Sequence, residues 1–206
     1  MPARIDKTVI SGVFSLDGQD FDVDNNVWLV GDDDEVLVID APHRPEPIVE
    51  AVGGRKVAGI VLTHGHNDHI TAAVALREAV DAPIWFPAAD RMLWDMVYGQ
   101  SRPAADPDRD LTEGTTFRIA GSSLLALHTP GHSPGSTCLH SADLNTVFTG
   151  DTLFCGGPGA TGRSFSDKPT ILTSIRSKLL TLHGDTVVRT GHGDDTTIAA
   201  ELRTVH

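Results

Sequence analysis

Apolar positions along this chain come in short runs divided by clusters of Gly, Pro and Asp, a rhythm of strands and short helices. Residues 9–16, 26–30, 36–39 and 57–62 read as strands, and the Gly/Asp turn at 31–35 predicts a hairpin between the second and third. The consecutive carboxylates of that turn are expected to face solvent. Helices are expected over 46–52, 69–80 and 88–97. In the last of these, Met92 and Met96 lie at helical spacing beside Trp94 and predict core positions. The Pro- and Asp-rich stretch 99–110 reads as a loop. Farther on, strands at 115–120 and 123–128 flank a turn at Gly121-Ser122, and strands at 136–140 and 146–149 flank another at Ala142-Asp143. A Gly-rich segment, 156–166, leads to a helix starting near Pro169, a short strand at Val187-Val188 and a closing helix over 197–204. The order is ββ-βα-βα and then ββ-ββ-α-βα. It predicts an α/β fold of two similar halves, with two sheets face to face and helices outside. No linker divides the chain, so residues 1–206 are expected to form one domain.

Composition narrows the partners. The formal charge is −12, which repels phosphodiester backbones, and no basic stripe is visible, so nucleic acid is not expected. No run approaches the roughly 20 apolar residues of a membrane span. The segment Met1-Pro2-Ala3-Arg4-Ile5-Asp6-Lys7 has no signal-type apolar core, which predicts a cytoplasmic protein with no membrane partner. Cys138 and Cys155 are too few for a disulfide scaffold and are expected to be reduced core filler.

Chemistry concentrates in His64-Gly65-His66-Asn67-Asp68-His69, directly after the apolar run 57–62 and Thr63. Neutral imidazole and carboxylate are ligands for zinc and iron, and a strand end holds them still. His64 and His66 are in phase on an extended segment and face one metal; Asp68 and His69 lie past the turn and can serve a second. Three later segments follow strands and place Gly or Pro beside a candidate ligand: Gly131-His132-Ser133-Pro134, Gly150-Asp151 and Gly191-His192-Gly193. His43, His128, His140, His183 and His206 lack such company and are expected to be structural or at the surface. The run Gly157-Pro158-Gly159-Ala160-Thr161-Gly162-Arg163-Ser164 approximates a phosphate-binding loop. It has Arg where Lys is required, and residues intervene before any helix, so it reads instead as a border of the active site.

Together these residues resemble the metallo-β-lactamase fold, and its glyoxalase II-like branch in particular. The resemblance implies an αβ/βα four-layer sandwich and two divalent metal ions per chain, zinc foremost, with iron or manganese as alternatives. It implies His64, His66 and His132 on the first ion and Asp68, His69 and His192 on the second. Asp151 would bridge both, with Asp68 and Asp151 as the carboxylates closest to the chemistry. Zinc β-lactamases of this family commonly carry Cys where this chain has Asp151, which argues against antibiotic hydrolysis. Two divalent ions against Asp68, Asp151 and a bridging hydroxide leave positive charge where an oxyanion would form. The ions also bring the pKa of bound water toward about 7.

The leaving group points to a substrate. A thiolate, with conjugate pKa near about 8.5, departs without a strong general acid, whereas lactone or amide cleavage gains from a proton donor. Lactonases of this fold carry a Tyr between the bridging Asp and the last His, and the only Tyr here is Tyr98. The expected substrate is therefore a small-molecule thioester, an S-acyl thiol of glutathione or mycothiol type, with Arg163 available for an anionic group. The glutathione-binding helical extension of full-length glyoxalase II is not expected, because the sequence stops soon after His192. The 159–167 segment resembles short members from mycothiol-producing bacteria. Three alternatives share the fold or the ligands. One is a persulfide dioxygenase, with one iron held by residues matching His64, His132 and Asp151. Another is a tRNA-processing nuclease, which needs a basic surface. The third is a non-catalytic metal-binding module.

Overall fold

Two strands of thirteen residues, β1 (Arg4–Leu16) and β2 (Gln19–Gly31), form one long antiparallel hairpin in the computed structural model, which describes residues 2–99 and 105–205. Its turn is Asp17-Gly18, both at positive φ (+55° and +70°), the backbone that matches strand twist in a two-residue turn. The sheet continues through β3 (Glu35–Ile39), β4 (Lys56–Val61), β5 (Ile84–Phe86) and β6 (Arg109–Asp110) in sequential order. The expected β2–β3 hairpin is present. Asp32 is folded into its turn, accepting from the backbone N–H of Asp34 and Glu35 at 2.9 and 3.0 Å, while Asp33 and Asp34 face solvent.

The second sheet is built from β7 (Thr116–Ile119), β8 (Ser122–His128), β9 (Thr137–Ser141), β10 (Thr146–Gly150), β13 (Val187–Thr190) and β14 (Thr196–Thr197). They run β14-β13-β10-β9-β8-β7, and β11 (Leu153–Phe154) pairs with β12 (Gly157–Pro158) apart from them. The β7–β8 turn is Ala120-Gly121, one residue earlier than expected, because Ile119 pairs with Ser122 and both turn residues take positive φ.

Alternation along the strands makes the layers. Val27, Leu29, Val36 and Val38 point to a core under α1 (Glu46–Val52), α3 (Ala73–Val80) and α4 (Arg91–Tyr98). Their neighbours Trp28, Val30, Leu37 and Ile39 meet Leu124, Ala126, Leu139 and Phe148 between the sheets. Cys138, Val147 and Val188 face a third core with α5 (Lys168–Ser174) and α6 (Ile198–Glu201). This is the expected αβ/βα sandwich.

Four expectations need correction. The helix expected over 69–80 is two, α2 (Asn67–Ile70) and α3, because Ala41 intervenes: its N–H donates to His69 O and its carbonyl accepts from Ala72 N–H, both at 2.9 Å. Met92 and Met96 are 40% and 61% exposed; the buried stripe of α4 is Leu93 and Trp94. Cys138 is buried as expected, but Cys155 is exposed. The closing helix is only α6, preceded by β14. Strands β5 and β6 have no counterpart in the apolar-run reading, β6 closing the stretch 99–110 expected to be a loop, and His206 and part of that stretch lie outside the described residues. Among the described residues no helix is long and apolar enough to cross a membrane.

Candidate metal centre

Every candidate ligand stands on a segment leaving the end of a strand, Asp68 and His69 in the short helix α2. The 64–69 segment follows β4, His132 follows β8, Asp151 follows β10 and His192 follows β13. His64 and His66 share an extended stretch, with His66 (φ −65°, ψ 145°) as the residue preceding α2, so their rings converge as the in-phase spacing predicts. Helix α2 then turns Asp68 and His69 back under the same site, both buried.

The seven side chains gather in two sets. His64 Nε2 lies 3.1 Å from His66 Nδ1, which lies 2.9 Å from His132 Nε2. His69 Nε2 and His192 Nε2 are 3.2 Å apart, and Asp68 Oδ2 is 3.6 and 3.3 Å from them. Asp151 stands between the sets, with Oδ1 3.2 Å from His69 Nε2 and Oδ2 3.5 Å from His132 Nε2 and 3.4 Å from His192 Nε2. Close approach of the backbone makes room for that carboxylate: a Cβ on Gly191 would stand 2.3 Å from Asp151 Oδ1.

Polar neighbours fix which nitrogen faces inward in four of the five rings; His66 turns Nδ1 inward, and its Nε2 is buried without a partner. Asp40 Oδ2 lies 2.9 Å from His69 Nδ1 and accepts the Thr63 hydroxyl at 2.9 Å; Thr63 Oγ1 is 3.1 Å from His64 Nδ1. One carboxylate therefore sets both tautomers. His132 Nδ1 donates to Ala160 O and His192 Nδ1 to Asp24 O, at 2.9 and 2.8 Å. With Nδ1 so engaged, the Nε2 lone pairs of four imidazoles point at one another and at carboxylate oxygens. Lone pairs at this separation repel unless a cation or a proton lies between them. Asp68 Oδ1 and Asp151 Oδ1 are also buried without a hydrogen-bond partner. The donor set thus fits two divalent cations.

Charge is distributed unevenly over the two sets. Burial pushes His64 well down, and pushes His66 down to about 3, helped by the neighbouring imidazoles. Those rings are neutral and ready for a metal. Burial also opposes charge on His69 and His192, but Asp151 and Asp68 overcome it, raising His69 strongly and His192 to about 10. Burial works against ionised Asp151 too, yet His69 and His192 hold it well below the usual carboxylate range.

Asp90, Asp40, Asn25 and His43 are parts of the site that the sequence reading did not identify. Asp90 is fully buried, accepting from Gly65 N–H at 2.8 Å, Ser133 Oγ at 2.6 Å and Gly135 N–H at 2.6 Å, so it ties the His64–His66 loop to the His132 loop. His43 Nε2 donates to Asn25 Oδ1 at 2.8 Å, and Asn25 Nδ2 donates to Asp68 Oδ2 at 3.1 Å. His128 Nε2 donates to Pro134 O at 2.9 Å and braces the His132 turn. Arg163 is displaced from the ligands: Nη1 donates to Gln19 Oε1 at 3.0 Å and the guanidinium lies 4.4 Å over the Phe21 ring, at the hairpin tip. The ligands open into a cavity of about 430 Å³ whose other walls include Phe14, Val23, Asp24, Phe154, Ala160 and Gly193.

Comparison with known proteins identifies the family. Residues 21–192 match the family described as the metallo-beta-lactamase superfamily. Hydroxyacylglutathione hydrolase GloC of Haemophilus influenzae is 34% identical over 190 residues, covering 86% of this chain and 90% of that protein. The crystal structure of the BLEG-1 B3 metallo-beta-lactamase has TM-score 0.78 at 29% identity, covering 95% of this chain and 98% of the other. That of TTHA1623 in a di-iron-bound form has TM-score 0.76 at 33% identity, covering 88% and 94%.

Proposed function

Since the chain belongs to the metallo-β-lactamase superfamily, we propose that it is a dinuclear metallohydrolase that cleaves thioesters of small thiols. The observation that carries this reading is the pair of ligand sets with Asp151 between them, opening into a cavity that, among the described residues, is lined by no Tyr, Ser, Lys or Arg. His64, His66 and His132 would hold one ion, Asp68, His69 and His192 the other, and Asp151 both. When bound, divalent ions of this kind supply a Lewis acid for the acyl oxygen and lower the pKa of water so that it is a nucleophile near neutral pH. Zinc suits the set, and so do iron and manganese.

The chain's own residues define what else is done. Asp40 holds His64 and His69 in one tautomer, and the carbonyls of Ala160 and Asp24 do the same for His132 and His192. In the reaction, water oxygen forms the bond to the acyl carbon, the carbon–sulfur bond breaks, and the thiolate leaves with its electron pair. Thiol and carboxylate result, with one proton released. Tyr98, the sole tyrosine, donates its hydroxyl to Ile70 O at 2.5 Å on the helical side and is not a proton donor in the cavity. Leaving groups that need protonation are disfavoured accordingly. Arg163, on the rim, is the cation an anionic thiol carrier would meet. The reaction belongs in the cytoplasm, where thiol carriers are kept reduced.

GloC is named for hydrolysis of a glutathione thioester, which supports this reading, and BLEG-1 supplies the competing β-lactam substrate. The test is a panel of S-acyl thiols, acyl lactones and a cephalosporin with metal-loaded protein at matched concentration. Thioesters should lead by at least about tenfold, roughly 1.4 kcal/mol of barrier. Lactones or the cephalosporin leading would refute the leaving-group argument. Oxygen uptake with a persulfide and no hydrolysis would move the protein to the dioxygenases.

A further inference from the structure

The β1–β2 hairpin has two unlike faces. Register pairs Phe14 with Phe21 and Gly12 with Val23, which places these four on one face; Val13 with Asp22 and Ser11 with Asp24 fall on the other. The first face looks into the cavity. The Phe14 ring centroid is 5.2 Å from the His66 ring at an edge-on angle, and Phe21 continues outward 6.2 Å from Phe14. Beside the other ligand set, the Phe154 ring centroid is 6.1 Å from the His192 ring. Phe14 thus lies beside one ligand set and Phe154 beside the other, and both line the same cavity with Val23.

These rings are not closed into a core. Phe14, Val23 and Phe154 are only partly buried and Phe21 is 37% exposed. Apolar surface left wet beside a metal site is surface a ligand can cover, at about 25 cal/mol per Å². Polar groups are arranged farther out, where Arg163 and Gln19 meet above Phe21.

We propose that Phe14, Val23 and Phe154 form an acyl subsite, so that the substrates are thioesters of apolar acyl groups, aliphatic or aromatic, rather than of hydroxyacyl groups. This rests on the thioesterase reading above. The acyl chain takes the apolar walls because, among the described residues, the only ionisable ones lining them are the ligands and Asp24, whose side chain belongs to the other hairpin face and whose carbonyl accepts from His192. The thiol carrier, whose polar groups need partners, takes the rim.

The experiment uses metal-loaded protein and S-acyl esters of one neutral thiol, N-acetylcysteamine, with acetyl, butanoyl, hexanoyl, phenylacetyl and lactoyl groups. The expected kcat/KM rises with apolar size by up to about fourfold per methylene and places lactoyl below butanoyl. Phe14→Ala should flatten that slope and Phe14→Leu restore it; Phe154→Ala should flatten it as well. Metal content of each variant shows that the site is intact. A flat series, lactoyl ahead of hexanoyl, or a full slope in both alanine variants overturns the acyl subsite while leaving thioester hydrolysis standing. A rate that follows the alkyl length of the thiol at fixed acyl group overturns the assignment of the walls to the acyl side. Hydrolysis of none of these esters overturns the thioesterase reading beneath it.

Discussion

Removing Asp90 should unfasten one half of the metal site. Its carboxyl is fully buried and takes three donors: two backbone N–H groups, of Gly65 and Gly135, and the hydroxyl of Ser133. In Asp90→Ala the Ser133 hydroxyl can still turn to Ser136 Oγ, 2.9 Å away. The two N–H groups cannot turn, and each buried orphan costs about 1–3 kcal/mol. Burial also pushes the Asp90 carboxyl above its usual range, so relief of that strain offsets part of the loss. The net destabilisation should be about 3 kcal/mol. Asp90→Asn keeps one acceptor but turns an amide N–H at a backbone N–H, and should lose roughly half as much. Urea unfolding of the metal-free proteins reads these differences. Because Gly65 lies between His64 and His66, and Ser133 follows His132, elemental analysis of Asp90→Ala should show loss of the ion held by those three while the other is retained. A stability change below about 1 kcal/mol with normal content of both ions would refute the reasoning.

Three further predictions concern protonation. His69 and His192 carry protons at neutral pH in the metal-free protein, whereas His64 and His66 do not, so metal binding to the Asp68–His69–His192 set should release about two protons and weaken as pH falls. Calorimetry in buffers of different ionisation enthalpy counts them, and release of none would contradict the assignment. Since His192 is raised from 6.5 to about 10, its stabilisation of the metal-free fold is fully present below pH 6.5 and is lost as pH rises through about 10. Tyr98 is pushed up to about 12 by burial, so the native state keeps a proton that the unfolded chain gives up from pH 10. Stability should fall between pH 10 and 12, and in Tyr98→Phe, measured by urea unfolding, this dependence should vanish.

What the sequence made legible is what lies close together along it or repeats with a period. The His64–His69 cluster is contiguous, and the strand alternation of residues 27–30 and 36–39 separates helix-facing from sheet-facing side chains. Asp40, Asp90 and Asn25 were not legible because the groups they hold at the site, Thr63, Gly135 and Asp68, lie 23, 45 and 43 residues away and a lone Asp or Asn looks the same in any loop. The Asp17-Gly18 turn carried a strong local signal, but the strand after it has carboxylates at 20, 22 and 24, which read as loop until the hairpin's solvent face is known. The single helix expected over 69–80 failed for a tertiary reason, the hydrogen bonds that Ala41 takes from its middle. The position of Arg163 over Phe21 was not legible, because it depends on how the 159–167 loop meets the hairpin tip.

The central claim is that two ions, bridged by Asp151, act together on a thioester. Metal-free protein titrated with zinc, iron or manganese, with bound metal and thioester hydrolysis followed in the same samples, tests it most directly. Activity should rise with the second equivalent, reach its plateau at two ions per chain, and be absent in Asp151→Ala. A plateau at one ion per chain, or full turnover in Asp151→Ala, would contradict it.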